Sequence, residues 1–276
     1  MRIMISVDME GISGISHWDH VTPGNSDYLS RYRRLMTQDV NAAIEGAYDG
    51  GATEVIVTDA HWYGSNILIE ELDPRARLNI GLQSPLAMLQ GLSRQIDGMV
   101  LIGYHAAAGT QNAVCDHTWS DVRVHQLKLN GQVFGEIGLN SAIAGHFEVP
   151  VLAISGDQAA VEEATLVVGK NLQTAVVKYA TGQQSAECLS LETAHNQIRQ
   201  AVHGGVKNKQ LGRAPGPFSL SCPVDLEIRF RFTRYADRAA LLPGSERIDG
   251  ISVRYKTADI VEAYQVFRIM VAAARD

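Results

Sequence analysis

The stretch RIMISVDMEGISG (2–14) decides how this chain is read. Residues 2–7 are apolar except for Arg2 and Ser6, without the strict alternation of a strand that has one wet face, so they fit a strand buried on both sides. The run stops on two acids, Asp8 and Glu10. Gly11, Ser13 and Gly14 follow and let a loop bend closely around whatever the acids hold. Similar runs recur downstream with helical patterns between them: EVIVTDA (54–60), GMVLIGY (98–104), VPVLAISGD (149–157) and TAVVKYAT (174–181). Strands alternating with helices predict an α/β fold with a mainly parallel sheet. A helix is expected from about Tyr28 to Tyr48, with Leu35, Met36, Val40, Ala43, Ile44 and Ala47 on one stripe, ended by Gly50 and Gly51.

Two segments break the pattern. In DVRVHQLKLNGQVFGE (121–136) the pair Asn130-Gly131 suits a tight turn between extended arms, which predicts an antiparallel flap, with a helix starting at Glu136. Past Ser190 come a polar helix (191–203), a connection (204–217), and DLEIRFRF, in which Leu226, Ile228, Phe230 and Phe232 alternate with polar residues. A last helix opens at Asp259, with Glu262 as capping partner. The expected organisation is a catalytic α/β domain over 1–190 and a smaller α+β domain over 191–276.

The chain has 276 residues and can bury a full core without covalent staples; its three cysteines, Cys115, Cys188 and Cys222, lack the paired spacing of a disulfide framework. No signal-peptide pattern opens the sequence and no apolar run is long enough to span a bilayer, so a cytoplasmic protein without a membrane partner is expected. The net charge is −6, with lysine and arginine scattered among acids, which argues against nucleic acid as a partner and for a small substrate.

Three successive strand ends deliver ligand-type side chains to one edge: Asp8 with Glu10, His61 after TDA, and His105 after GY. In open α/β sheets, ligands bind outside the carboxyl ends of the strands. Two carboxylates one residue apart repel each other unless a cation or shared proton neutralises them. With Glu136 the set is three carboxylates and two histidines, a mixed oxygen and nitrogen set suited to zinc. Five side chains exceed the three that one catalytic zinc usually takes, so two metals bridged by a carboxylate account for them best, and Asp8, first off the strand, is the best bridge. Asp59 could orient a liganding histidine or serve a cap or loop. Cys115 reads as a small buried thiol, and His117 is assigned a catalytic role without being a ligand, the alternatives being a ligand or a surface residue.

The motifs SVDMEGISG (6–14), VTDAH (57–61), GYHA (103–106), GEIGLN (135–140) and VEAYQ (261–265) closely resemble the DppA-type family of zinc-dependent D-aminopeptidases, over nearly the whole chain. That resemblance implies a two-zinc aminopeptidase acting on short peptides with an N-terminal D-residue, assembled as a ten-subunit homo-oligomer enclosing its active sites. It makes Asp8 the bridging ligand, puts Glu10 and His61 on one zinc and His105 and Glu136 on the other, and matches His117 to the catalytic histidine. The context VCDHTWS around His117 departs from the family pattern, and the loop from Ile15 to Asp27, with Trp18 and His20, has no match in it.

Two other functions compete. A metal-dependent phosphatase would share the acidic D-x-E, but magnesium prefers oxygen and would leave His61 and His105 without a task. A non-catalytic metal- or peptide-binding protein would favour a closed ligand set, whereas two metals sharing five ligands leave positions for water.

Overall fold

The computed structural model describes residues 1–275. Its strands in chain order are β1 (Arg2–Val7), β2 (Glu54–Asp59), β3 (Ala76–Asn79), β4 (Gly98–Tyr104), β5 (Val124–Leu129), β6 (Gln132–Phe134), β7 (Val151–Asp157), β8 (Gln173–Gly182), β9 (Ser185–Cys188), β10 (Val224–Phe230), β11 (Glu246–Arg247) and β12 (Ser252–Thr257). The helices are α1 (Trp18–Val21), α2 (Arg33–Asp49), α3 (Glu136–His146), α4 (Gln158–Val168), α5 (Leu191–Gln210), α6 (Thr233–Ala239) and α7 (Ile260–Ala273).

The unalternating apolar runs become the large sheet, in the order β3-β2-β1-β4-β7-β8-β9, parallel throughout except for β9 at one edge. β1 lies between β2 and β4, so the three strands that end in acids or histidines are neighbours. One face is covered by α2 and α5, whose Val40, Ile44, Ile198 and Val202 share a core with Ile3, Ile5 and Val7 of β1. The opposite face carries Met99, Leu101 and Ile154, which share a core with α3, α7 and the second sheet. α3 is buried along nearly its whole length because it lies within that core, which is why its sequence shows no polar stripe.

The second sheet has the order β11-β12-β10-β5-β6 and is antiparallel throughout. The segment expected as a flap is thus an integral part of a sheet: Val124, Leu127 and Leu129 are fully buried and β5 pairs with β10. Asn130 and Gly131 do make the turn, both at positive φ. On β10, Leu226, Ile228 and Phe230 face the core as their alternation predicts, while Phe232 lies beyond the strand and is exposed. Residues 191–276 do not form this sheet alone, since it also takes β5 and β6, and α5 packs against α2 over the large sheet. α5 runs through to Gln210, past the connection expected from Gly204 onward. Gly205 is what allows the close contact: a Cβ there would lie 2.7 Å from the Leu152 carbonyl oxygen.

The loop leaving β1 is locked to the end of β4. Gly11 donates its N–H to the Gly103 carbonyl at 2.8 Å, and a Cβ on Gly11 would stand 2.1 Å from the Tyr104 carbonyl oxygen. No side chain end can yield there, because the obstruction is backbone. Gly11→Ala is therefore expected to destabilise the protein by about 1–3 kcal/mol, the usual scale of overpacking. Gly216→Ala, which meets nothing within 4 Å, should change stability by less than about 0.5 kcal/mol. Urea denaturation of the two variants side by side checks this.

Candidate metal centre

The edge of β1, β2 and β4 brings Asp8, Glu10, His61, His105 and Glu136 together in a buried cluster, each less than about 5 % exposed. The two oxygens of Asp8 divide between the histidines: Oδ1 lies 3.1 Å from His61 Nδ1 and Oδ2 lies 3.4 Å from His105 Nε2. Glu10 Oε2 is 3.3 Å from the same His61 nitrogen, and Glu136 Oε1 is 3.2 Å from the same His105 nitrogen. Asp8 stands between two pairs, each of one histidine and one glutamate, and Asp8, Glu10 and His105 also lie close enough together to share an ion. Glu136 is the first residue of α3, where the helix dipole also favours a carboxylate.

The histidines are held in the orientation that metal binding needs. His61 Nε2 donates to the Val21 carbonyl at 2.8 Å, His105 Nδ1 to the Ala106 carbonyl at 3.0 Å, and His117 Nδ1 to the Cys115 carbonyl at 2.9 Å. A carbonyl can only accept, so in each ring the other nitrogen is the one that can present a lone pair inward. Glu10 Oε2 and His105 Nε2 make no well-formed hydrogen bond although both are buried. Buried polar atoms without partners are costly, and a cation between these groups would satisfy them. Three buried carboxylates, two histidines whose inward nitrogens face them, and these orphaned atoms fit a metal centre.

The electrostatics agree. Burial by itself would raise the carboxyl of Asp8, but attraction to His105 and His61 holds it well below the ordinary carboxylate range. Burial opposes the charged form of His61, yet Glu10 and Asp8 push it well above the ordinary histidine value. His105 behaves likewise, with Glu136 and Asp8 outweighing its burial.

His117 stacks on His105 with ring centroids 4.0 Å apart, and its Nε2 lies 3.7 Å from Glu136 Oε1. It lies close enough to His105 and Glu136 to share an ion with them, so the geometry brings it to the rim of the cluster. Cys115, by contrast, is fully enclosed, and burial pushes its thiol up to about 12, which suits an inert thiol rather than a thiolate ligand. Asp59 touches neither histidine ring. It accepts from the Asn66 N–H at 2.5 Å, the Asn66 side chain at 2.7 Å and the Ile67 N–H at 2.8 Å, and so serves the loop after His61. Asn66 in turn donates to the His61 carbonyl at 2.7 Å.

The loop from Ile15 to Asp27 supplies two parts of the site that sequence reasoning missed. Its Val21 carbonyl fixes the His61 ring, and Trp18 stands edge-on to His117 with ring centroids 5.3 Å apart. A backbone oxygen has no sequence signature. The only available signal was an aromatic residue in a short segment next to the acidic motif.

A sequence model of the D-aminopeptidase family, peptidase family M55, matches residues 1–269. The chain belongs to this family. It is 35 % identical over 275 residues to a D-aminopeptidase of Bacillus subtilis (strain 168), covering 99 % of this chain and 98 % of the relative. Its fold superposes with a TM-score of 0.94 and 34 % identity on the Zn-dependent D-aminopeptidase DppA from Bacillus subtilis, a self-compartmentalizing protease, covering 99 % of this chain and 98 % of that one.

Metal uptake and proton loss are linked in such a cluster. Zinc added to the metal-stripped protein at neutral pH is expected to displace the protons held on His61 and His105, which a pH-indicator titration reads directly. The stability of the metal-free form should follow the same groups. The raised histidines contribute stability that is complete below the ordinary histidine pKa and lost as pH rises through their raised values. Asp8, held low, contributes stability above the ordinary carboxylate pKa that is lost as pH falls. Thermal melts of the stripped and zinc-loaded protein across pH should show this dependence in the first and much less of it in the second. Asp8→Ala should lose zinc, since one of its oxygens faces each histidine; full zinc content in that variant, measured by elemental analysis, would contradict a ligand role for Asp8.

Proposed function

We propose that this chain is a zinc-dependent aminopeptidase that uses two zinc ions per subunit to hydrolyse the N-terminal peptide bond of short peptides with an N-terminal D-residue. The observation that carries the two-metal reading is the division of Asp8 between two histidine-glutamate pairs, which gives one bridging carboxylate and one pair per ion. Membership of the D-aminopeptidase family supports the reaction class over a phosphatase, and two nitrogen ligands likewise favour zinc over magnesium.

Asp8, Glu10 and His61 would hold one ion, and Asp8, His105 and Glu136 the other. When bound, the pair supplies Lewis acidity that brings the pKa of a water toward neutrality and polarises a carbonyl. The protein's own part is orientation and proton handling. Asp8, Glu10 and Glu136 balance the positive charge, and the carbonyls of Val21 and Ala106 keep His61 and His105 from rotating. His117 has its Nδ1 committed to the Cys115 carbonyl, so Nε2 is the nitrogen that exchanges a proton. From the rim of the site it would hand that proton to the leaving amine, or as an imidazolium stabilise the developing oxyanion. Trp18 and the loop that carries it form the wall beside that histidine.

The relative described as a self-compartmentalizing protease supports a closed homo-oligomer, which we take to be a decamer with its active sites facing an enclosed space. Among the described residues no helix is long and apolar enough to cross a membrane, and the three cysteines are free; a cytoplasmic setting is part of this proposal. Light scattering should give the mass of the decamer, and folded proteins with suitable N-termini should be poor substrates; a monomer would contradict the enclosed site.

A panel of dipeptides in matched D and L forms tests the reaction and its stereochemistry together, with turnover expected for an N-terminal D-residue. His117→Ala should keep both zincs and near-normal substrate affinity while kcat falls by roughly 10²-fold or more. Loss of a metal in that variant would make His117 a ligand, and full activity would remove it from the mechanism.

A further inference from the structure

Lys178 on β8 is fully buried, yet it sits in no ion pair among the described residues. Its ammonium donates to three backbone carbonyls of the loop that leaves β1: Glu10 at 2.5 Å, Ile12 at 2.8 Å and Ile15 at 2.6 Å. An ammonium has three donors, and all three are used on this one loop. The same three peptide units are fastened at their other ends. The N–H of Gly11 donates to the Gly103 carbonyl at 2.8 Å, that of Ser13 to Asp39 Oδ2 at 2.9 Å, and that of Ser16 to His20 Nδ1 at 3.2 Å. The loop is thus strung between Lys178 on one side and β4, α2 and its own following turn on the other, and the first carbonyl it gives to Lys178 is that of Glu10.

Core stability does not explain this arrangement. A buried charge is expensive, and an apolar side chain on β8 would fill the same space without it. What an apolar residue could not do is hold three carbonyls of an irregular loop at one point. We propose that Lys178 is a positioning residue for the metal centre, setting the place of Glu10 and so the affinity of the half-site formed by Asp8, Glu10 and His61. The inference rests on the two-metal reading above. The half-site of Asp8, His105 and Glu136 takes its other groups from the end of β4 and from α3, and none of its three residues accepts a hydrogen bond from Lys178.

The test uses the full-length, assembled protein and its metal content. Wild type is titrated first with zinc, and with cobalt as a spectroscopic probe of each half-site; uptake of fewer than two ions would overturn the two-metal reading itself. With two ions in the wild type, Lys178→Met should retain one at unchanged affinity and bind the other at least tenfold more weakly, with one of the two cobalt absorption signatures lost at low metal. Raising the zinc concentration should restore kcat, and KM should stay near the wild-type value. Lys178→Arg, which keeps charge and donors, should fall between the two and serves as the readout where the methionine variant does not assemble. Equal affinity for both ions in an assembled variant overturns this inference and leaves the two-metal reading intact. Failure of both variants to assemble in zinc makes Lys178 a folding residue only and likewise overturns it.

Discussion

Three carboxylates buried within reach of one another set the terms for the rest of the molecule. Asp8, Glu10 and Glu136 are each withdrawn from water, and their mutual repulsion in a low-dielectric setting must be met by positive charge. His61 and His105 meet it partly, by carrying protons well above the ordinary histidine range. The orphaned Glu10 Oε2 and His105 Nε2 show that protons do not meet it fully. Such a cluster has the groups and the charge to hold a metal cation.

The parallel sheet is what makes the cluster affordable. Putting β1 between β2 and β4 brings three strand ends together, so Asp8, His61 and His105 each stand within two residues of strand backbone. The loops are then fixed to one another by backbone contacts, as where Gly11 lies against the Gly103 and Tyr104 carbonyls. Beneath the site, the Tyr104 hydroxyl bonds to Ser6 Oγ at 2.7 Å and receives the Asn140 amide at 2.9 Å, tying β4 to β1 and α3. The half-site of His105 and Glu136 stands on this network, since α3 carries Glu136.

Much of this was legible in the sequence because it depends on local pattern. A buried run ending on an acid or a histidine reads the same way in the sequence as in space, and it picked out Asp8, His61 and His105. Glu136 was found because a carboxylate opening a helix has a physical reason to be there. What escaped depends on long-range pairing or on backbone atoms. β5 and β6 join a sheet whose other strands lie almost a hundred residues away, and nothing in DVRVHQLKLNGQVFGE (121–136) distinguishes such a partner from a free hairpin. Gly204 and Gly205 look like a helix end, whereas Gly205 lies within α5 so that the helix can approach β7. Lys178 sits in the apolar run TAVVKYAT (174–181) with nothing in the sequence to say why, and only the folded loop shows what it holds.

Anomalous diffraction at the zinc absorption edge from zinc-loaded crystals tests the central claim most directly. The account predicts two separate zinc peaks flanking the Asp8 carboxylate, one beside Glu10 and His61 and the other beside His105 and Glu136, with His117 outside the coordination of both. A single peak, or a second one held by His117 in place of a shared Asp8, would contradict it.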